Sequence, residues 1–170
     1  MISEEAKQRI RDIAARYPAP RSALLPALHI VQAEESYVTA EGIRTVAELL
    51  NLTPADVESV STFYTMYYQQ PHGEKVIKVC NSISCYLRGC DSLIGHLEQR
   101  LGVKRGETTP DGKYTLMTAE CLASCSTAPV LQVNDEFVEN VSLEKADALI
   151  DELDRELSNT PTTARSEVRR

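Results

Sequence analysis

The chain has 170 residues, is 42% hydrophobic, lacks tryptophan and carries a formal net charge of −7. That length suits one domain, or a domain with an extension, with enough apolar residues to bury a core. The acidic balance repels phosphate backbones and excludes nucleic-acid binding, and no run approaches the roughly 18 apolar residues that span a membrane.

The N-terminus, Met1-Ile2-Ser3-Glu4-Glu5, lacks the basic start and apolar stretch of a secretory signal. The expectation is therefore a cytoplasmic chain, where disulfides seldom persist. Residues 1–72 read as helices only. Ala6, Ile10, Ile13, Ala14 and Tyr17 share one face of a first helix, which Pro18-Ala19-Pro20 ends. A second helix carries Leu24, Leu25, Leu28 and Val31, with Pro26 tolerable only in its first turn. Thr39 is the expected N-cap of a third, which turns Ile43, Val46, Ala47 and Leu50 inward. Thr53 caps the fourth, with Pro54 at its first position, Asp56 in its first turn, and Leu52 and Val57 placed as a hydrophobic staple. Four short amphipathic helices imply a small bundle. Phe63, Tyr64, Tyr67 and Tyr68 follow, and core packing is the expected role for these aromatics.

The pattern changes at Pro71-His72-Gly73. Lys75–Val79 is a β-type run leading into Cys80, and after a loop holding Cys85 the residues Leu93, Ile94, Leu97 and Leu101 recur at helical spacing until Gly102. A turn at Thr109-Pro110-Asp111-Gly112 precedes a second strand, Lys113–Met117. Val130–Val133 and Phe137-Val138 suggest a hairpin, and Ser142 caps a last helix carrying Ala146, Leu149, Ile150, Leu153 and Leu157. The order β-α-β-β-α is an α/β arrangement of thioredoxin-like layout, expected over residues 73–157 behind the helical bundle of 1–72. Residues 158–170, rich in Ser, Thr and Arg, are expected to be a disordered tail.

Four of the five cysteines form two short pairs, Cys80/Cys85 and Cys121/Cys125, with 35 residues between the pairs. A C-x4-C … C-x3-C pattern can present four thiolates to one centre, and a [2Fe–2S] cluster takes four, two per iron. Zinc and inert or disulfide-bonded cysteines are the alternatives left open by spacing alone. The first pair follows one strand and the second pair the other, and adjacent strand ends are where distant loops converge. Burying the cluster's negative charge requires donors, for which backbone N–H groups of 81–84 and 122–124 and the hydroxyls of Ser82, Ser84, Ser124, Ser126 and Thr127 are candidates. Arg88 is either a cationic neighbour of that centre or a solvated arginine at a helix start. Cys90 makes a second C-x4-C with Cys85, but at a helix start a small buried hydrophobe is its expected role. Pro129 follows the second pair, where the thioredoxin layout often has a cis proline; the isomer is left open. His29, His72 and His96 are isolated, so no catalytic residue is assigned. No glycine-rich phosphate loop occurs, so the chain has no visible NADH or flavin site of its own.

These residues resemble a known family, the thioredoxin-like [2Fe–2S] subunit of NADH:quinone oxidoreductase, the bacterial complex I. The resemblance rests on Val31-Gln32-Ala33-Glu34-Glu35, Val60-Ser61-Thr62-Phe63-Tyr64-Thr65-Met66-Tyr67, Val79-Cys80 with Cys85, residues 106–112, and Glu120-Cys121-Leu122-Ala123-Ser124-Cys125 with Ala128-Pro129. It implies Cys80, Cys85, Cys121 and Cys125 as cluster ligands. It also implies a hetero-oligomer in which single electrons pass between this subunit and the FMN of an NADH-binding partner, at the periphery of the inner membrane. Any oxidoreductase activity would belong to the assembled complex. Relatives in NAD-linked hydrogenases and formate dehydrogenases, or a free thioredoxin-like ferredoxin, are the alternatives.

Overall fold

The computed structural model describes residues 2–159, which divide between Pro71 and His72 into two compact units. In the first, Ser3 starts helix α1 (Glu4–Ala14): its Oγ accepts the Ala6 amide at 3.1 Å, with Glu4 and Glu5 in the turn that favours negative charge. A 3-10 turn, Pro20–Ala23, feeds α2 (Leu24–Glu35), and Pro26 falls in the first turn, where its missing N–H costs nothing. Thr39 caps α3 (Ala40–Leu50) through the Gly42 amide. The cap of α4 (Pro54–Phe63) is reciprocal: Thr53 Oγ1 accepts the Asp56 amide while Asp56 accepts the Thr53 amide. Ile10, Leu28, Val31, Val46, Leu50 and Val57 are fully buried, each contributing roughly 1.5–3 kcal/mol by leaving water.

Two expectations fail in this unit. Tyr17 is 42% exposed, because α1 stops at Ala14 and Pro18 disfavours helix in the residue before it. Of the four aromatics only Tyr67 is core, its hydroxyl donating to the Leu25 carbonyl at 2.8 Å, whereas Phe63 is 76% exposed. Phe63 lies six positions from buried Val57, about 240° around the helix and so off its inner face.

The second unit is a four-stranded sheet in the order β2-β1-β3-β4. β1 (Lys75–Cys80) pairs parallel with β2 (Tyr114–Ala119) and antiparallel with β3 (Leu131–Val133), which pairs antiparallel with β4 (Glu136–Val138). Val76, Ile77, Val79 and Cys80 are all buried, as a strand covered on both faces requires. The crossover from β1 to β2 runs through α5 (Ile83–Leu87) and α6 (Cys90–Leu101); α6 buries Cys90, Leu93, Ile94 and Leu97. The last helix, α7 (Leu143–Asn159), buries Ala146, Ile150, Leu153 and Leu157. His96 and Arg100 of α6 reach Asp147 and Asp151 of α7 at 2.8 and 2.6 Å. The outer edge of β2 is occupied by the preceding loop: the Gly106 amide donates to Leu116 O, the Leu116 amide to Glu107 O and the Thr109 amide to Tyr114 O.

The α/β architecture and element order match the sequence reading, with differences at four places. The segment read as a loop around Cys85 contains α5. The second strand starts one residue later and ends two later than expected, at Ala119. The first hairpin strand begins at Leu131 rather than Val130, and the second starts one residue early, at Glu136. Helix α7 takes in Ser158 and Asn159, the first two residues of the expected tail; the rest of that tail lies outside the described residues. The Ala128–Pro129 peptide bond is cis.

Candidate metal centre

The parallel register sets the geometry of the cysteine loops. Cys80, the last residue of β1, is paired with Ala119, the last of β2, so Cys121 follows two residues beyond its neighbour strand's end. The Asn81 amide donates to Ala119 O at 3.0 Å, tying the two strand exits together, and the Cys80 amide donates to Val130 O at 3.1 Å, tying the end of β1 to the segment that follows the second pair. Both cysteine loops therefore leave the same end of the sheet, as loops that share one site do in sheets of this kind.

The two pairs sit in unlike surroundings. Cys80 and Cys85 are buried close together, with Cys85 on α5 and Cys90 opening α6. Burial, followed by the Cys80 contact, pushes the Cys85 thiol up to about 11, although a Val130 backbone hydrogen bond opposes the shift. Burial also raises the Cys90 thiol, with Asp91 and Cys80 adding to it. Cys121 and Cys125 are exposed. Cys121 precedes Ala123, a non-glycine residue in the left-handed region at φ 58°, whose amide donates to Cys121 Sγ at 3.3 Å. Cys125 begins a 3-10 turn that ends at Thr127.

Among the described residues, no group of three or more Cys, His, Asp or Glu side chains is drawn together as a metal-holding set. The structure thus brings Cys80 and Cys85 side by side and carries Cys121 and Cys125 to the neighbouring strand exit. The four cysteines offer sulfur donors only, the Cys121 sulfur already accepts a backbone N–H, and Cys80 and Cys85 are buried where Cys121 and Cys125 are exposed. These features fit an iron–sulfur cluster, which is held by thiolates and stabilised by hydrogen bonds to sulfur.

Not every anticipated donor serves the sulfurs. Ser124 Oγ and Thr127 Oγ1 both donate to Glu139 Oε1, the second at 2.8 Å. The two hydroxyls, Ser124 first, hold the Glu139 carboxyl below the usual carboxylate range. Glu139 was missed by the sequence reading, because nothing local links it to residues 12 and 15 positions earlier. Arg88 is exposed at the end of α5, as are Ile83, Tyr86 and Leu87.

Residues 10–154 match the family of thioredoxin-like [2Fe-2S] ferredoxins. Among curated relatives, the E subunit of NADH-quinone oxidoreductase from Mycobacterium tuberculosis is 46% identical over 152 residues. The match covers 89% of this chain, which spans only 60% of that relative's length. A second E-type subunit of NADH-quinone oxidoreductase, from Rhizobium meliloti, is 41% identical, covering 85% of this chain and 86% of the relative. NADH-quinone oxidoreductase subunit 2 of Thermus thermophilus is also 41% identical, over 83% of this chain and 80% of its own. The crystal structure of an NAD+-reducing [NiFe]-hydrogenase in the air-oxidized state superposes with a TM-score of 0.69 at 23% identity. It covers 82% of this chain and 24% of the hydrogenase chain, a likeness of fold. No described helix is long and apolar enough to cross a membrane.

Proposed function

Because the chain belongs to the thioredoxin-like [2Fe–2S] ferredoxin family, we propose that it is the iron–sulfur electron-transfer subunit of an NADH:quinone oxidoreductase, with Cys80, Cys85, Cys121 and Cys125 as the ligands of its cluster. The observation that carries the reading is the pairing of Cys80 with Ala119, which sends both cysteine loops out of one end of the sheet. When bound, a [2Fe–2S] cluster supplies a one-electron carrier. The chain's own residues hold it: two thiolates from the buried side, two from the exposed loop, and backbone N–H groups such as that of Ala123 toward sulfur. Cys90, buried at the start of α6, packs with Leu93 and Leu97 in the core and is not a ligand in this reading.

The partner in this reading is an FMN-containing, NADH-binding subunit of the same hetero-oligomer, which exchanges single electrons with this one. The complex lies at the cytoplasmic face of the inner membrane, and oxidoreductase activity belongs to the assembly. The NAD-linked hydrogenase reading is weaker, since it rests on fold likeness alone, whereas the quinone oxidoreductase relatives reach 46% identity. The test is EPR of anaerobically purified protein at liquid-nitrogen temperature. The expected result is silence when oxidised and a spin-½ signal after dithionite reduction. Zinc without iron, with silence in both states, would sink the electron carrier.

A further inference from the structure

The two cysteine loops are held in different ways. Cys80 and Cys85 are fixed by burial between β1 and α5, but Cys121, Ala123, Cys125 and Ser126 all face solvent, with only Leu122 and Ala128 packed on the core. The second loop is instead held by polar bonds to one short stretch of chain. Ser124 Oγ and Thr127 Oγ1 donate to the same carboxylate oxygen of Glu139. The Asn140 amide donates to Thr127 O at 2.7 Å, and the Val141 amide to Pro129 O at 2.9 Å. That stretch is itself anchored: it links β4 to α7, Asn140 turns it at φ 48°, and Lys145 Nζ donates to the Glu139 carbonyl at 2.6 Å.

From this we infer that Glu139 is a positioning residue for the cluster: its carboxylate fixes the Cys121–Cys125 loop through Ser124 and Thr127 while touching neither cysteine. Hydroxyl-to-carboxylate bonds are charge-assisted and stronger than neutral ones, so one side chain replaces the hydrophobic contacts this loop lacks. The same bonds turn both hydroxyls away from sulfur, which leaves backbone N–H groups as the donors there. Loss of Glu139 thus has a second effect, since it removes a negative charge and releases two donors, and both changes favour the reduced cluster.

The inference rests on the proposed function for its cofactor but not for its first test. That test is amide hydrogen exchange in the full chain without metal, read on the peptide covering residues 121–128. Glu139→Ala and the double variant S124A/T127V should each exchange at least about tenfold faster than wild type, since both lose the bonds to the carboxylate and the double variant also loses the contacts of Thr127 Oγ1 with Ser124 Oγ and Ser124 O. Glu139→Gln keeps an acceptor oxygen and should stay within about twofold. Combining Glu139→Ala with S124A/T127V should add nothing further, because the groups form one unit. In the iron-loaded chain, Glu139→Ala and S124A/T127V should lose iron to a chelator about tenfold faster, the lower end for supporting residues of metal ligands. The reduction midpoint should move positive in Glu139→Ala and by less in Glu139→Gln, which loses the charge but keeps both hydroxyls bonded, a difference that loss of charge alone would not give. Wild-type exchange in Glu139→Ala, additive effects, or an unmoved midpoint would overturn the assignment. Failure of the wild-type chain to take up iron would fall on the proposed function, and the exchange arm would still decide whether Glu139 holds the loop.

Discussion

Replacing Gly73 by alanine should destabilise the second unit sharply, although it adds only a methyl group. A Cβ at this position would lie 2.6 Å from the Tyr114 carbonyl carbon, 2.8 Å from its nitrogen and 2.9 Å from the Lys113 carbonyl carbon. All three are backbone atoms, so no side chain can rotate away, and the strands must separate by roughly 0.8 Å to restore ordinary contact. Overpacking of this kind costs about 1–3 kcal/mol. The displacement also stretches the bonds from Gly73 N to Thr115 Oγ1 at 2.7 Å and from Lys75 N to Lys113 O at 2.8 Å, worth roughly 1 kcal/mol each. The total is about 3–5 kcal/mol. With a urea m-value of about 2 kcal/mol/M, the midpoint falls by about 1.5–2.5 M. The internal control is Gly95→Ala in the middle of α6, where an added Cβ meets nothing within 4 Å. There alanine should stabilise by about 0.5–1 kcal/mol, through helix propensity alone. Urea unfolding of both variants, followed by far-UV circular dichroism, gives the two shifts. A Gly73→Ala midpoint within about 0.3 M of wild type, or two shifts of the same sign, would refute the steric argument, which requires opposite signs.

Three further outcomes follow from particular groups. Thr53→Ala removes the reciprocal cap of α4 and should cost the bundle about 1 kcal/mol in thermal or urea unfolding. Asp56 is held at about 2 by its bonds from Thr53 and Arg21, below its unfolded value. Its stabilising contribution is therefore complete above about pH 4 and is lost as pH falls toward 2, and Asp56→Asn should flatten that part of the melting-temperature profile. Alkylation of the metal-free chain with iodoacetamide should modify exposed Cys121 and Cys125 well before buried Cys80, Cys85 and Cys90, with Cys85 further slowed by a thiol pushed up to about 11. Peptide mapping over a time course reads the order, and early labelling of Cys85 would contradict the burial described.

What the sequence made legible was chiefly what is local. Thr53-Pro54 with Asp56 announces a helix start because the capping bonds span three residues, and the structure reproduces it. The cysteine spacing pointed to one centre, and the strand register explains why the two pairs leave the same sheet end. Helix α5 was not legible: five residues are too few for helical periodicity, and Asn81-Ser82-Ile83-Ser84 reads as polar loop until buried Cys85 pins it. The inward role given to Phe63 failed because residue type was weighed above its angle on α4. The hydroxyls of Ser124 and Thr127 were placed near the centre but given to sulfur, since their real acceptor lies more than ten residues along the chain. Long-range polar partners of exposed residues leave no periodic trace, whereas buried apolar ones do.

The edges of the sheet bear on a different matter, how the chain behaves at high concentration. An uncovered strand edge invites pairing with another molecule. Here the outer side of β2 is already bonded to residues 106–109, and the opposite edge, β4, is only three residues long. Among the described residues, each copy thus presents its neighbours with little strand edge to extend. The loop that closes β2 therefore acts against amyloid-like stacking of one copy on the next.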